Sequence, residues 1–235
     1  MQDLTPTGKL RVGVNCSNFL LVQRNPDGTA RGIVPDLAHE IGQRIAAPVE
    51  LVLYEKVGDV ADGGKAGAWD VAFIGAEPQR AQDIDFTEPY VEIEATYLVP
   101  PGSAIRTIDE VDRKGVRIAV ADRSAYDLWL TRNIKHAELR RVEGLNASFE
   151  LFVREKLEVL AGLKPKLLED AAKLPGARIL EGRFTAVQQA IGTPKGRPEG
   201  YAFLRGFAAD IKASGLVARL IERHGIKGLS VAGPA

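Results

Sequence analysis

The sequence predicts an α/β protein built from parallel strand–helix–strand units, with enough chain for two compact lobes. Three features carry this expectation. Short apolar runs of strand length (LRVGV, VELVLY, VAFI) alternate with stretches of helical period. A second alternation of the same kind follows a Pro-Pro-Gly break at 100–102. The 235 residues are on the long side for one domain, which favours two.

Leu10–Val14 reads as a first buried strand, ending in the small and polar residues Asn15, Cys16, Ser17 and Asn18. Asn25-Pro26-Asp27-Gly28 is turn chemistry fit to close a hairpin-like loop. A helix is expected from Gly32-Ile33 to about Ala46, because Ile33, Leu37, Ile41 and Ile45 recur on one face and Asp36 suits the positive end of the helix dipole. Val49–Tyr54 is the next strand, Val57–Lys65 a short irregular helix, and Val71–Ile74 a buried strand. In parallel sheets of this kind, ligands sit beyond the carboxyl ends of the strands. Those ends carry Asn15 to Asn18, Tyr54 to Lys56, and Gly75 to Arg80.

The stretch Gly67–Tyr90 holds the main candidate. Pro78 is placed for the first turn of a helix with Glu77 near its N-terminus, followed by Arg80 and a short strand at Ile84–Phe86. A guanidinium there can grip a carboxylate with two charge-assisted bonds, helped by free backbone N–H groups. The alternative is a surface ion pair of Arg80 with Asp83 or Asp85, and spacing alone leaves both open.

Glu94–Val99 is a further strand, and Pro100 to Ser103 suit a crossover between lobes. After a short helix at Ile108–Asp112 come the strand Val116–Val120 and the turn Asp122-Arg123-Ser124-Ala125, with Ser124 capping a helix to Asn133. Leu139–Val142 reads as a weak strand, Ala147–Leu160 as a helix capped by Asn146, Ala161–Leu163 as a brief strand or turn, and Lys166–Lys173 as a helix. The last strand-like runs are Arg178–Leu180 and Phe184–Ile191. Gly192 to Gly196 reads as a loop and second crossover, Gly200–Ser214 and Leu216–His224 as helices, and the final residues as a tail with little to order it.

Composition removes several function classes. Lys+Arg and Asp+Glu both number 31, so no basic excess points to nucleic acid or to an anionic membrane. No run of 18 apolar residues exists to span a bilayer. Cys16 is the single cysteine, which excludes an intrachain disulfide and a thiolate metal cluster. No nucleotide-binding glycine loop and no metal-ligand spacing among His39, His136 and His224 occurs, so no cofactor and no metal is expected. Ser17, Ser124 and Ser148 lack the nucleophile-elbow context, Cys16 reads as a half-buried bystander, and Trp69 as a packing residue. Trp129 and Tyr126 form a ridge that is either lobe core or cleft wall. The N-terminal MQDLTPTGKL has neither a basic n-region nor an apolar h-region, so an exported protein would carry its signal peptide outside this sequence.

In LRVGV, GIVPDLAHEIGQRI, GAWDVAF, the Arg80 segment with IDFTEPY behind it, GVRIAVADRSAYDL, QQAIGTPKG and IKASGLVARLIERHG, the chain resembles the periplasmic solute-binding proteins of ABC importers, polar amino acid class (bacterial extracellular solute-binding protein family 3). The resemblance covers most of the chain in order. It implies a type II periplasmic-binding fold, with one lobe of residues 1–97 and 193–235, another of 98–192, and a ligand cleft between them joined by two crossover hinge strands. It implies a periplasmic monomer that closes on an amino acid or small carboxylate and delivers it to a membrane permease. Arg80 then matches the residue that grips the ligand's carboxylate, and Ser124 and Ala125 the turn that helps hold it. Asn15 matches a polar position after the first strand, and Tyr54, Lys56 or Val57 lie where a ring packs on the ligand. Asn18, Gly75, Glu77, Asp122 and Arg123 complete the expected binding set.

Departures from the family bear on the ligand. Arg123 replaces the turn glycine, Leu163 stands where an aspartate pairs with the ligand ammonium, and Glu77 replaces a threonine in a loop that looks a residue or two short. A buried ammonium without an anion is costly. Glu77 supplies that charge or caps the local helix; both readings stand. The same scaffold also serves as a ligand-sensing domain or as a cyclohexadienyl dehydratase-like lyase. The lyase would need a facing acid and base, for which Glu77 and the three histidines are the only material.

Overall fold

The computed structural model describes residues 2–233. The chain runs β1 (Leu10–Asn15), β2 (Gln23–Arg24), β3 (Ala30–Arg31), α1 (Ile33–Arg44), β4 (Val49–Tyr54), α2 (Val57–Lys65), β5 (Val71–Gly75), β6 (Ile84–Phe86) and β7 (Val91–Val99). It continues through β8 (Arg117–Ala121), α3 (Ala125–Asn133), β9 (Glu138–Val142), α4 (Leu145–Arg154), β10 (Val159–Leu163), α5 (Lys164–Lys173), β11 (Arg178–Ile179) and β12 (Thr185–Pro194). Last come α6 (Pro198–Ala213), α7 (Leu216–Arg223) and β13 (Ser230–Val231). Two compact units result, residues 1–92 with 188–235, and residues 93–187.

In the first unit β1 is central, parallel to β4 on one side and β5 on the other. The end of β12 runs antiparallel to β5 and also pairs with β6. The α1 helix buries Ile33, Leu37 and Ile41 completely, as their four-residue spacing requires. Gly32 before it has φ 127°, and a Cβ there would stand 2.6 Å from the Leu21 carbonyl oxygen, so only glycine fits. Trp69 fixes the packing of α2. Its ring lies in a slot floored by Gly13, Gly63 and Gly64, where added Cβ atoms would approach the indole to 2.8, 2.9 and 2.6 Å. Its Nε1 donates to the Val60 carbonyl at 2.8 Å, and Val60, Ala72, Ile74 and Ile84 complete the cluster.

Asp70, beside Trp69, is fully buried and binds three parts of this unit. It accepts from Arg11 Nε at 2.9 Å and Nη2 at 2.8 Å, from the Arg11 N–H at 3.1 Å, and from Arg197 Nη1 at 2.8 Å. This ties β1 and β5 to the segment that enters α6.

The second unit has the strand order β7-β10-β8-β9, with β7 and β10 antiparallel and the other two neighbours parallel; β11 adds to β7. Leu98, Ala119, Leu151, Phe152, Leu157, Leu160 and Leu167 form its core beneath α4 and α5.

Five expectations are corrected. The helix read as Ala147–Leu160 starts at Leu145, after Gly144, and stops at Arg154. Lys156 then takes a left-handed φ of 49°, and Val159–Leu163 is a fully buried strand. Leu157 and Leu160 lie beyond the helix end and join Leu98, Ala119, Leu151 and Phe152 in the core of this unit. Gly192 to Pro194 is strand, paired with Phe86, Asp85 and Ile84, so β12 itself carries the chain back into the first unit. The passage out lies within β7, upstream of Pro100 to Ser103, which form a turn after that strand. The tail is ordered through Val231, because Ser230 and Val231 pair with Glu92 and Val91. No α-helix starts at Pro78; a single 3₁₀ turn spans Arg80–Gln82, because β6 begins at Ile84 and leaves no length for more.

Candidate ligand-binding site

Each unit presents its candidate residues where its parallel strands end. In the first unit, Arg80 is only 6% exposed, and its Nη1 donates to the carbonyl of Gly75, the last residue of β5, at 2.8 Å. A long cationic side chain is thus folded back onto the strand that precedes it. The Glu77 carbonyl accepts the Ala81 N–H at 3.0 Å, and this turn leads into the 3₁₀ turn of Arg80–Gln82. The loop is therefore a short turn and not the longer helix expected from Pro78.

After β1, Asn15 Oδ1 accepts from the Ser17 N–H at 3.1 Å and from Ser17 Oγ at 2.6 Å, which tightens the turn through Cys16. Asn18 is buried at the end of that turn, and its Oδ1 has no donor among the described residues. Tyr54, at the end of β4, packs against the Trp69 cluster. Burial pushes the Cys16 thiol up, against the opposing pull of Arg24, so this half-buried sulfur is held in its unreactive form.

In the second unit, Ser124 is the N-cap of α3, and its Oγ accepts the Asp127 N–H at 3.1 Å. Arg123 before it has a left-handed φ of 57°, a conformation glycine would occupy more easily. Its N–H donates to Asp127 Oδ2 at 2.8 Å, and Arg141 Nε donates to Asp127 Oδ1 at 2.9 Å. Burial pushes the Asp127 carboxyl up despite these donors. Asp122 N–H donates to Val142, while its side chain lies 4.0 Å from Arg141. Asp127 was not singled out by sequence; an acid three residues after an N-cap serine was its available signal. Losing the cap in Ser124→Ala is expected to cost about 1 kcal/mol. A chemical melt should show a matching fall in midpoint at unchanged slope.

The histidines lie elsewhere. His39 Nδ1 is 2.7 Å from the Pro35 carbonyl, and His224 Nε2 is 2.8 Å from Asp36 Oδ2, so both pack on α1. Among the described residues no group of three or more His, Cys, Asp or Glu could hold a metal ion. No helix of the described residues is long and apolar enough to cross a membrane.

The model of the bacterial extracellular solute-binding proteins, family 3, matches residues 10–227. The chain belongs to that family. The solute-binding protein has the family's two-lobed α/β architecture, central sheets flanked by helices and linked by crossover strands. Its fold is shared with the solute receptor for L-cysteine of Neisseria gonorrhoeae, at 19% identity over 96% of this chain and 94% of that one, with a TM-score of 0.80. A putative binding component of an ABC transporter from Wolinella succinogenes, solved with lysine, is 20% identical over 92% and 95%, with a TM-score of 0.78. An ancestral amino acid-binding protein described as a precursor of cyclohexadienyl dehydratase is 20% identical over 94% and 96%, with a TM-score of 0.77. No curated protein matches the chain. At these identities the structural likeness speaks to the fold, and the residues of this solute-binding protein must speak for its ligand.

Proposed function

We propose that this solute-binding protein captures an amino acid or a related small carboxylate in the periplasm and hands it to the membrane permease of an ABC importer. The ligand's carboxylate is held by Arg80 from the first unit and by the Ser124–Ala125 turn from the second, and the lobes close around it by bending at the crossover strands. The observation that carries this reading is Arg80 itself. It is an arginine buried at the end of a parallel strand, its guanidinium oriented by the Gly75 carbonyl. A guanidinium held in this way presents a planar fork whose geometry suits a carboxylate. At Ser124, the first N–H groups of α3 have no intrahelical acceptor, which suits the same anion. Asn15, Asn18, Tyr54, Glu77, Asp122 and Arg123 line the remaining strand ends and set selectivity. The monomer acts as a carrier, so ligand is bound and released unchanged. The structures solved for amino acid and cysteine receptors of the same fold support this ligand class.

A thermal-shift panel of amino acids and small organic acids at millimolar concentration tests the reading. A bound ligand raises the melting temperature by mass action. One carboxylate that raises it strongly and is recovered unchanged is the expected result. Chemical conversion of that compound would transfer the protein to the lyase class.

A further inference from the structure

We propose that the ligand carries a second acidic group, and that Lys164 receives it. This rests on the reading of Arg80 and the Ser124 turn as the anchor of the first carboxylate. The inference comes from the second unit alone, where β10 lies between β7 and β8.

On one side of β10, Leu163 stands opposite Ala95, which brings Lys164 opposite Glu94, and Lys164 Nζ lies 2.8 Å from Glu94 Oε2. On the other side Val159 is level with Ile118 and Leu160 with Ala119. Because β8 and β10 run parallel, the residues that follow them, Asp122 and Arg123 after β8 and Lys164 after β10, leave the sheet at the same edge. Ser124 comes next. Two cationic residues therefore follow neighbouring strands at the edge where the anchoring turn lies. Glu94 is shared with a further cation, Arg183 Nη1, at 3.8 Å. The hydrogen bond from Lys164 holds the Glu94 carboxyl below the usual range, so it stays ionised. Both members of the pair are accessible, Lys164 at 41% and Glu94 at 42%, so a solute can reach the ammonium group.

The buried carboxylates of this unit are already engaged. Asp127 takes the Arg123 N–H and Arg141, and Asp170 takes Lys166 and Lys173. A ligand ammonium arriving at this edge would have to displace Lys164 from Glu94, and Asp122 already lies 4.0 Å from Arg141. A carboxylate there shares or replaces Glu94 on Lys164, at the strength of a charge-assisted bond. The ligand class is accordingly a small dicarboxylate.

The test is calorimetric titration at low ionic strength with compounds that share one carboxylate and differ at the far end. These are succinate, malate and 2-oxoglutarate (anionic), succinamate (neutral), and 4-aminobutyrate and alanine (ammonium-bearing). A dicarboxylate should bind at least about tenfold more tightly than the neutral and ammonium-bearing compounds. Lys164→Gln should erase that preference. Glu94→Gln should strengthen dicarboxylate binding, because it removes the competing anion. A role of the pair in stability alone would make both variants weaken binding alike, which overturns the assignment to Lys164. Tighter binding of alanine or 4-aminobutyrate than of any dicarboxylate overturns the second acidic group and leaves the Arg80 anchor standing. Silence of all six compounds, while an amino acid without a second acidic group raises the melting temperature, also overturns it. If no carboxylate binds at all, the reading of Arg80 falls, and this inference with it.

Discussion

Arg80→Ala is expected to raise the dissociation constant for the bound carboxylate by about two to three orders of magnitude. Truncating one side of a buried, hydrogen-bonded charge pair costs roughly 2–5 kcal/mol. The substitution also leaves the Gly75 carbonyl without its Arg80 donor, which adds about 1–3 kcal/mol of lost stability. The empty protein should therefore melt several degrees lower and still fold, since a kcal/mol shifts a domain of this size by about 2–4 °C. Arg80→Lys separates the two effects, because it keeps the charge and loses the planar fork. Titration calorimetry on both folded variants reads the result. Native affinity in Arg80→Ala would make Arg80 a structural residue and remove the proposed anchor.

Asp70→Asn is expected to be the most destabilising of the isosteric changes in the first unit, at about 3–5 kcal/mol. The amide keeps the shape of the carboxylate, yet it leaves Arg11 and Arg197, each about four-fifths buried, facing each other without an anion. The acid limb of stability should change as well. Burial alone would push the Asp70 carboxyl up, but the hydrogen bonds and charges of Arg11 and Arg197 outweigh it and hold the group below its ordinary range. A carboxyl depressed in the folded state contributes stability that is fully present above the ordinary aspartate pKa of about 3.9 and is lost as pH falls through the lower folded value. Urea melts between pH 7 and pH 2 should therefore show the native protein losing its advantage over Asp70→Asn below about pH 4. Parallel curves across that range would mean that the two arginines do not stabilise the ionised form.

The first unit was largely legible because its signals are local. Ile33, Leu37 and Ile41 give a helical face, Val71–Gly75 is a pure apolar run, and Trp69 announces a buried slot. Errors arose where long-range pairing overrode local pattern. Leu160 fits a helix by its spacing from Phe149, Phe152 and Val153, but the left-handed Lys156 and pairing with β7 and β8 make Val159–Leu163 a strand. Gly192-Thr193-Pro194 has loop composition, yet β6 supplies partners for it. Ser230 and Val231 carry no strand signal of their own and are ordered by the start of β7, some 140 residues earlier.

For the site, the residue types at the strand ends were visible in the sequence, including Arg80 and the Ser124 cap. Their partners were not. Asp70 joined to Arg11 and Arg197, Asp127 to Arg141, and Lys164 to Glu94 are contacts across large sequence separations that no spacing rule reports. The helix expected at Pro78 failed for a related reason, since the demands of β6 pairing shortened the loop to a 3₁₀ turn.

The most direct test of carboxylate capture by closing lobes is small-angle X-ray scattering of the protein with and without the carboxylate that most raises its melting temperature. The account predicts that the radius of gyration falls on saturation in the native protein and stays at its ligand-free value in Arg80→Lys at the same concentration. An unchanged radius in a native protein shown by calorimetry to be saturated would contradict closure. An equal fall in Arg80→Lys would show that closure is driven from somewhere other than the Arg80 anchor.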